Sequence, residues 1–214
     1  MKTIALVPIK LNSQRLPHKN ILPIHGHPLC WHLCNSLLHI KRIDEIYVYC
    51  SDKDIIKYLP EGILFKQREK WLDGDLVKGY DIYKSFINEV EADVYILAHV
   101  TSPFIKPSSI ENALFHVLSG EYDSAFSAER VQTFAWYQNR PINYLLDDIP
   151  RTQDIEPIWI ETSAFFIFKK EIFTVHNRRI GFNPYIQEVS GIEAIDIDEK
   201  EDYDFACKLV KVKK

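Results

Sequence analysis

Glycine is scarce in this chain, with seven in 214 residues, and none falls into a Gly-x-Gly-x-x-Gly loop. That removes the usual dinucleotide-binding turn, in which glycines let the backbone approach a pyrophosphate. Long apolar runs are missing as well, and none approaches the roughly 20 residues of a membrane-spanning helix. Met1-Lys2-Thr3 leads straight into a strand pattern, so no signal peptide and no membrane partner are expected, and the expected compartment is the cytoplasm. An excess of positive charge is lacking too. The 26 Lys and Arg face 30 Asp and Glu, and the net charge of -4 argues against nucleic acid or an anionic membrane as partner. The four cysteines, Cys30, Cys34, Cys50 and Cys207, form no Cys-x-x-Cys pair and sit in apolar contexts, which reads as reduced core thiols. The eight histidines show no metal-ligand spacing within one helix or strand. His25 and His27 flank a turn through Gly26 and are expected to be structural. There are no repeats and no low-complexity tract.

What is present begins at the N-terminus. The apolar run Ile4 to Ile9 reads as a buried strand and runs directly into a polar segment carrying Lys10, Asn12, Ser13, Arg15, Lys19 and Asn20. The carboxyl end of a first strand is where an open α/β sheet binds its ligand. Three cations and several donors crowded there suit a polyphosphate. The alternative is a solvated loop. Pro17 stiffens the segment, so its donors need less ordering on binding.

Strand-like runs at Ile46–Cys50, Val94–Ala98 and Ser124–Ala128 alternate with helical patterns at His27–Ile40, Lys53–Leu59 and Leu76–Val90. Pro107 suits a first helical turn that Ser108 or Ser109 can cap, and this helix runs to about Gly120. The alternation predicts an α/β fold, a mostly parallel sheet flanked by helices, as one domain over residues 1–214. Between about 131 and 168 the texture changes. Phe134, Trp136, Tyr137, Tyr144 and Trp159 mix with Pro141, Pro150 and Pro157, which reads as a small antiparallel insertion ending in a strand from Ile158 to Phe168. Its aromatics mark either a subunit interface or a hydrophobic patch under a loop. A closing helix is expected over Asp198–Val212, with an acidic first turn and a Lys-rich end.

Three motifs then carry a resemblance. The segment Lys10 to Asn20 resembles the first motif of the cytidylyltransferases that activate sialic acid and Kdo, Ala-Arg-x-x-Ser-x-x-Leu-Pro-x-Lys-Asn. His99-Val-Thr-Ser-Pro-Phe104 is similar to their Gln-Pro-Thr-Ser-Pro-Leu, and Ala194-Ile-Asp-Ile-Asp198 to their C-terminal Asp-Ile-Asp. All three stand in order across almost the whole chain. The resemblance implies a Rossmann-like fold of the nucleotide-diphospho-sugar transferase type, CTP and Mg²⁺, and a homodimer built on the mid-chain insertion. It also implies transfer of CMP to a small acidic acceptor with release of pyrophosphate.

The residues support that chemistry in their own terms. An acceptor oxygen attacks the α-phosphorus of CTP, and the protein contributes positioning and charge neutralisation. Lys10 and Lys19 would neutralise the triphosphate with Arg15 at its outer edge, while Asn12, Ser13 and Asn20 donate to phosphate or ribose. Thr101 and Ser102 of the second motif join the nucleotide-binding set through the resemblance. Lys10 stands where the family has arginine, exchanging a planar fork for one compact charge. Asp196 and Asp198, two apart in an extended segment, can face one cation together, and hard oxygens suit Mg²⁺. The other reading has Asp198 capping the final helix. By the resemblance, Lys10, Lys19 and Asp198 form the catalytic set. Asp52 either contacts the nucleotide or caps the next helix. Leu72-Asp-Gly-Asp75 sits where the family often has a Ser-Asp loop near the nucleotide, and reads rather as a turn with Asp75 as a helix cap.

Acceptor choice is where the pattern departs. His99 replaces the family glutamine. Pro150-Arg-Thr-Gln153 resembles Pro-Arg-Gln-Gln, so Arg151 and Gln153 are expected to hold the acid. Ile160-Glu-Thr-Ser-Ala164 replaces Arg-Pro-Asn-Gly, which puts Glu161 where an arginine is usual. A nonulosonic acid, a Kdo-like acid bound for a surface glycan, or a non-sugar acid such as a phosphonate all fit. Two other classes stay open: a nucleotide-sugar-dependent glycosyltransferase and a catalytically weak nucleotide-binding relative.

Overall fold

The apolar run behind the first loop forms the middle of a seven-stranded sheet. The computed structural model of the chain describes residues 1–212. In chain order the N-terminal half comprises β1 (Thr3–Pro8), β2 (Pro23–Ile24), β3 (His27–Pro28), α1 (Leu29–Leu38), β4 (Glu45–Cys50), β5 (Leu64–Gln67), α2 (Gly79–Glu89) and β6 (Val94–Ala98). It continues with α3 (Pro107–Leu118), β7 (Ser124–Val131), β8 (Trp136–Tyr137), β9 (Arg140–Pro141), β10 (Ile158–Lys169), α4 (Lys170–Thr174), β11 (Pro184–Glu188) and α5 (Lys200–Val212). Lys213 and Lys214 lie outside the described residues.

The sheet order is β11-β7-β10-β6-β1-β4-β5. All neighbours pair parallel except β10, which is antiparallel to both β6 and β7. The sheet is therefore mostly parallel, as predicted. The alternation of side chains along each strand builds two cores. From β1, Ala5 and Val7 pack among Cys30, Leu33, Val117 and others on the α1/α3 face. Ile4 and Leu6 meet Phe86, Phe168 and Phe173 on the α2/α4 face. Cys30, Cys34 and Cys50 are buried free thiols within the first core.

β1 sits between β4 and β6, so the chain leaves its first strand in one direction and later returns to the other side. A crevice opens outside the carboxyl ends of the strands at such a switch point. The loops after β1, β5 and β6 meet there. No helix among the described residues is long and apolar enough to cross a membrane.

Several predicted boundaries move, each for a local reason. His27 and Pro28 are drawn out of the first helix into a two-residue ribbon with β2, turned by His25 and Gly26 at φ 48 and 84. Lys53–Tyr58 is a 3₁₀ helix. Helix α2 starts at Gly79, and its N-terminal amide at Lys78 donates to Asp81, so Asp75 is not its cap. Neither Ser108 nor Ser109 caps α3. Its N-cap is Lys106, and the Ser109 hydroxyl turns to the buried Glu193 carboxylate. The Asp196–Asp198 segment is irregular rather than a strand. The insertion is antiparallel as expected, consisting of the β8–β9 hairpin and an isolated Leu145–Asp148 bridge.

Candidate active site

The loop after β1 is folded back on itself by its own side chains. Asn20 donates through Nδ2 to the Lys10 carbonyl at 2.6 Å, while Leu16 is buried against Leu29, Ile197 and Ala206. His18 adopts left-handed backbone at φ 55 and starts the short turn that places Lys19. The Lys19 side chain is only 8 % exposed, so its ammonium emerges at a defined point.

That point is the C-terminal acidic segment. Lys19 Nζ lies 2.9 Å from Asp198 Oδ1, and Arg15 Nη1 lies 2.7 Å from Asp198 Oδ2. The segment is pinned from below, because the Ile197 amide donates to the Thr101 carbonyl at 2.8 Å. Asp198 does not cap α5. Asp202 does so, accepting from the amides of Asp198 and Glu199 at 3.0 and 2.8 Å. Burial alone would raise the Asp198 carboxyl, but Lys19 and Arg15 hold it below its ordinary range. Asp196 behaves oppositely. Burial raises its pKa and the Asp198 charge adds to that, against the pull of Thr101, Lys19 and His99. Its Oδ1 is buried with no hydrogen-bond partner among the described residues. Two carboxylates held together, one with an orphaned oxygen, fit a hard divalent cation. Among the described residues no group of three or more His, Cys, Asp or Glu assembles, so phosphate and water oxygens would complete the coordination.

A cleft of about 420 Å³ opens beside this pair, lined by Lys10, Asn12, Ser13, Arg15, Lys19 and His99 from the predicted set. The Lys10 ammonium lies 3.2 Å from Asp75, and the 72–75 turn is a cleft wall. His99 Nδ1 lies 2.6 Å from the Ser163 carbonyl. A carbonyl only accepts, so Nδ1 carries the proton and Nε2 keeps a lone pair. Burial lowers the His99 pKa; the Ser163 carbonyl opposes this and the Arg179 charge adds to it. Burial thus disfavours the charged form of the side chain that replaces glutamine, although the Asp196 carboxylate pulls the other way.

Other predicted residues lie elsewhere. Asn20 is structural support under the loop. Asp52 is the N-cap of the 53–58 helix, accepting from the Asp54 amide at 2.9 Å. Ser102 is buried, and its amide closes a turn on the His99 carbonyl. Arg151 and Gln153 sit in an exposed turn of the insertion, where Asp154 takes the Arg151 guanidinium at 2.6 and 3.1 Å. Glu161 is exposed on β10, 3.4 Å from Arg179.

Two cleft residues, Arg68 and Tyr83, were not anticipated. Arg68, 2 % exposed, pairs with Asp73 on the cleft floor, and Ser51 donates to the same carboxylate. Tyr83 lines the cleft from α2. Arg68 follows β5 directly, so the strand-end rule that singles out Lys10 would have found it. The short, half-exposed β5 hid the strand.

Comparison with known proteins adds the following. A sequence model of the family described as cytidylyltransferase matches residues 4–213. An N-acylneuraminate cytidylyltransferase of Streptococcus agalactiae serotype V is 26 % identical over 220 residues, covering 95 % of this chain and 52 % of that protein. A pseudaminic acid cytidylyltransferase of Campylobacter jejuni is 22 % identical over 229 residues, covering 99 % and 97 %. The solved structure of a CMP:2-keto-3-deoxy-manno-octonic acid synthetase complexed with CTP covers all of both chains, with a TM-score of 0.75 at 18 % identity. The last likeness bears on the fold. The chain spans about half the length of the first of these relatives and nearly all of the second.

Proposed function

The chain belongs to the cytidylyltransferase family, and from that premise we propose that it transfers CMP from CTP to a small acidic acceptor and releases pyrophosphate. The acceptor class is a sugar acid of the nonulosonic or octulosonic kind, activated for later glycosyl transfer onto a surface glycan. One observation carries the reading: the 2.9 Å contact between Lys19 and Asp198, which joins the cationic loop to the acidic segment across 179 positions of sequence. A cleft that brings fixed cations against paired carboxylates suits a metal-bound triphosphate better than either ligand alone.

The acceptor hydroxyl attacks the α-phosphorus as the bond to the pyrophosphate oxygen breaks. Lys10 and Lys19 take up the charge on the departing pyrophosphate, and Arg15 steadies its outer end. Asn12 and Ser13 supply donors that fix the phosphates in line. Asp196 and Asp198 would hold Mg²⁺, whose chemistry is to neutralise phosphate oxygens. His99, its Nδ1 engaged by the Ser163 carbonyl, orients the acceptor by accepting a hydrogen bond at Nε2. The working unit is a homodimer joined through residues 131–168.

The test is pyrophosphate release from each nucleoside triphosphate in turn. The acceptors offered are N-acetylneuraminic acid, pseudaminic acid, 3-deoxy-manno-octulosonate and its 8-amino-3,8-dideoxy analogue, acids named in the relatives. Release with CTP and one acid, dependent on both and on Mg²⁺, is expected. No release with any pair would reject the transfer.

A further inference from the structure

The transfer reading gives Lys10, Arg15 and Lys19 to the triphosphate, and His99 Nδ1 is taken up by the Ser163 carbonyl, so the acid of the acceptor needs another cation. We infer that Arg179, from the connector between α4 and β11, holds the carboxylate of the acceptor and so sets which acids this chain accepts. The inference rests on the transfer reading above and names a residue for its acceptor half.

Arg179 stands at the partition between the cleft and an adjoining hollow. Tyr83 lines both spaces, and Arg179 lines the second with Tyr80, Phe173 and Asn177. Its guanidinium carbon lies 3.8 Å above the Phe166 ring, and Phe166 packs edge-on to His99 at 6.2 Å. The guanidinium is thereby held by a cation–π contact on the ring that also packs against the cleft histidine. A planar fork offers five donors. Among the described residues its one ion pair is a 3.4 Å contact with Glu161, a half-exposed carboxylate that makes a weak partner, and the Tyr83 hydroxyl is its other polar neighbour. An incoming carboxylate can take the fork bidentately and displace Glu161.

The connector is also rigid. The Gly181 amide donates to Ser124 Oγ at 2.7 Å, and the amides of Phe182 and Asn183 donate to Asp123 Oδ2 at 2.6 and 3.0 Å. Arg178 is tied on the other side, its amide donating to the Ile172 carbonyl at 3.1 Å. Bonds on both flanks fix the backbone under Arg179 before any ligand arrives, which is what a specificity contact requires. Where Glu161 occupies the position of a family arginine on β10, the cation comes from a different part of the chain.

Binding of the four acids named above is measured by saturation-transfer NMR and calorimetry, beside calorimetry of CTP with Mg²⁺. Arg179→Ala is expected to weaken the best-bound acid at least tenfold while CTP affinity stays within twofold. Arg179→Lys should recover part of the loss, and the methyl ester of that acid should bind the parent no better than the acid binds Arg179→Ala. Unchanged acid affinity in Arg179→Ala overturns the inference, as does an equal loss for CTP, which would indicate a general structural defect. Acids that bind through Arg179 without pyrophosphate release leave the inference standing and remove the transfer reading. No binding of any acid to the parent defeats both.

Discussion

Lys10 holds its partner loosely, by one 3.2 Å contact with an Asp75 side chain that is 62 % exposed. A pair of that kind contributes at most about 1 kcal/mol, so little would be lost if a phosphate took the ammonium instead. Lys19 is different, because a nearly buried ammonium paired at 2.9 Å is part of the architecture as well as the site. The two lysines should therefore separate experimentally. Lys10→Ala should lower kcat at least tenfold, about 1.4 kcal/mol of activation free energy, with an unchanged melting temperature. Steady-state pyrophosphate kinetics beside a thermal melt checks this, and turnover within twofold of the parent would refute the assigned role. Lys10 and the two aspartates were readable from the sequence because their neighbours place them at a strand end and before a helix. The proton position of His99 was not, since it is set by a carbonyl 64 positions away.

Strand β10 carries the fold's main irregularity, a register shift between Glu161 and Phe166 with Ser163 in left-handed backbone at φ 57. Bulges of this kind re-aim groups beside functional sites, and here the Ser163 carbonyl is turned onto His99. No composition rule forecasts where a long strand will break step, so the sequence predicts the strand and not its bend. The connector after α4 went unread for a similar reason, because its order comes from bonds to the start of β7. Gly181 is the tight point, since a Cβ there would lie 2.2 Å from Asp123 Oδ1. Gly181→Ala should destabilise the fold by about 1–3 kcal/mol, the usual cost of forcing an extra methyl into a filled space. Denaturant unfolding measures it. Stability equal to the parent would mean that the connector is not anchored as described.

At the scale of the whole molecule, apolar exposure is uneven. Eight of the eighteen large hydrophobic side chains exposed among the described residues fall between Trp136 and Ile160, Leu145 and Leu146 at 72 % and 58 %. Scattered exposed apolar residues are normal on a surface, but a cluster on one short insertion suits burial against a second copy. The chain should elute at twice the mass of one chain in size exclusion with light scattering, and Leu145→Asp with Leu146→Asp should convert it to monomer. A monomeric parent at tens of micromolar would exclude the dimer.

By itself the sequence determined most of the elements: the buried strands β1, β4, β6, β7 and β10, the helices α1, α2, α3 and α5, and that a cationic loop follows the first strand. Those are short-range matters, decided by side-chain periodicity and by neighbours a few positions away. Only the tertiary structure decided which of these meet. Lys19 finds Asp198, Arg68 comes under the cleft, and Arg179 reaches the wall behind His99, because the order in which strands join the sheet decides which loops share an edge. That order is settled by packing across the whole chain, and no local window contains it.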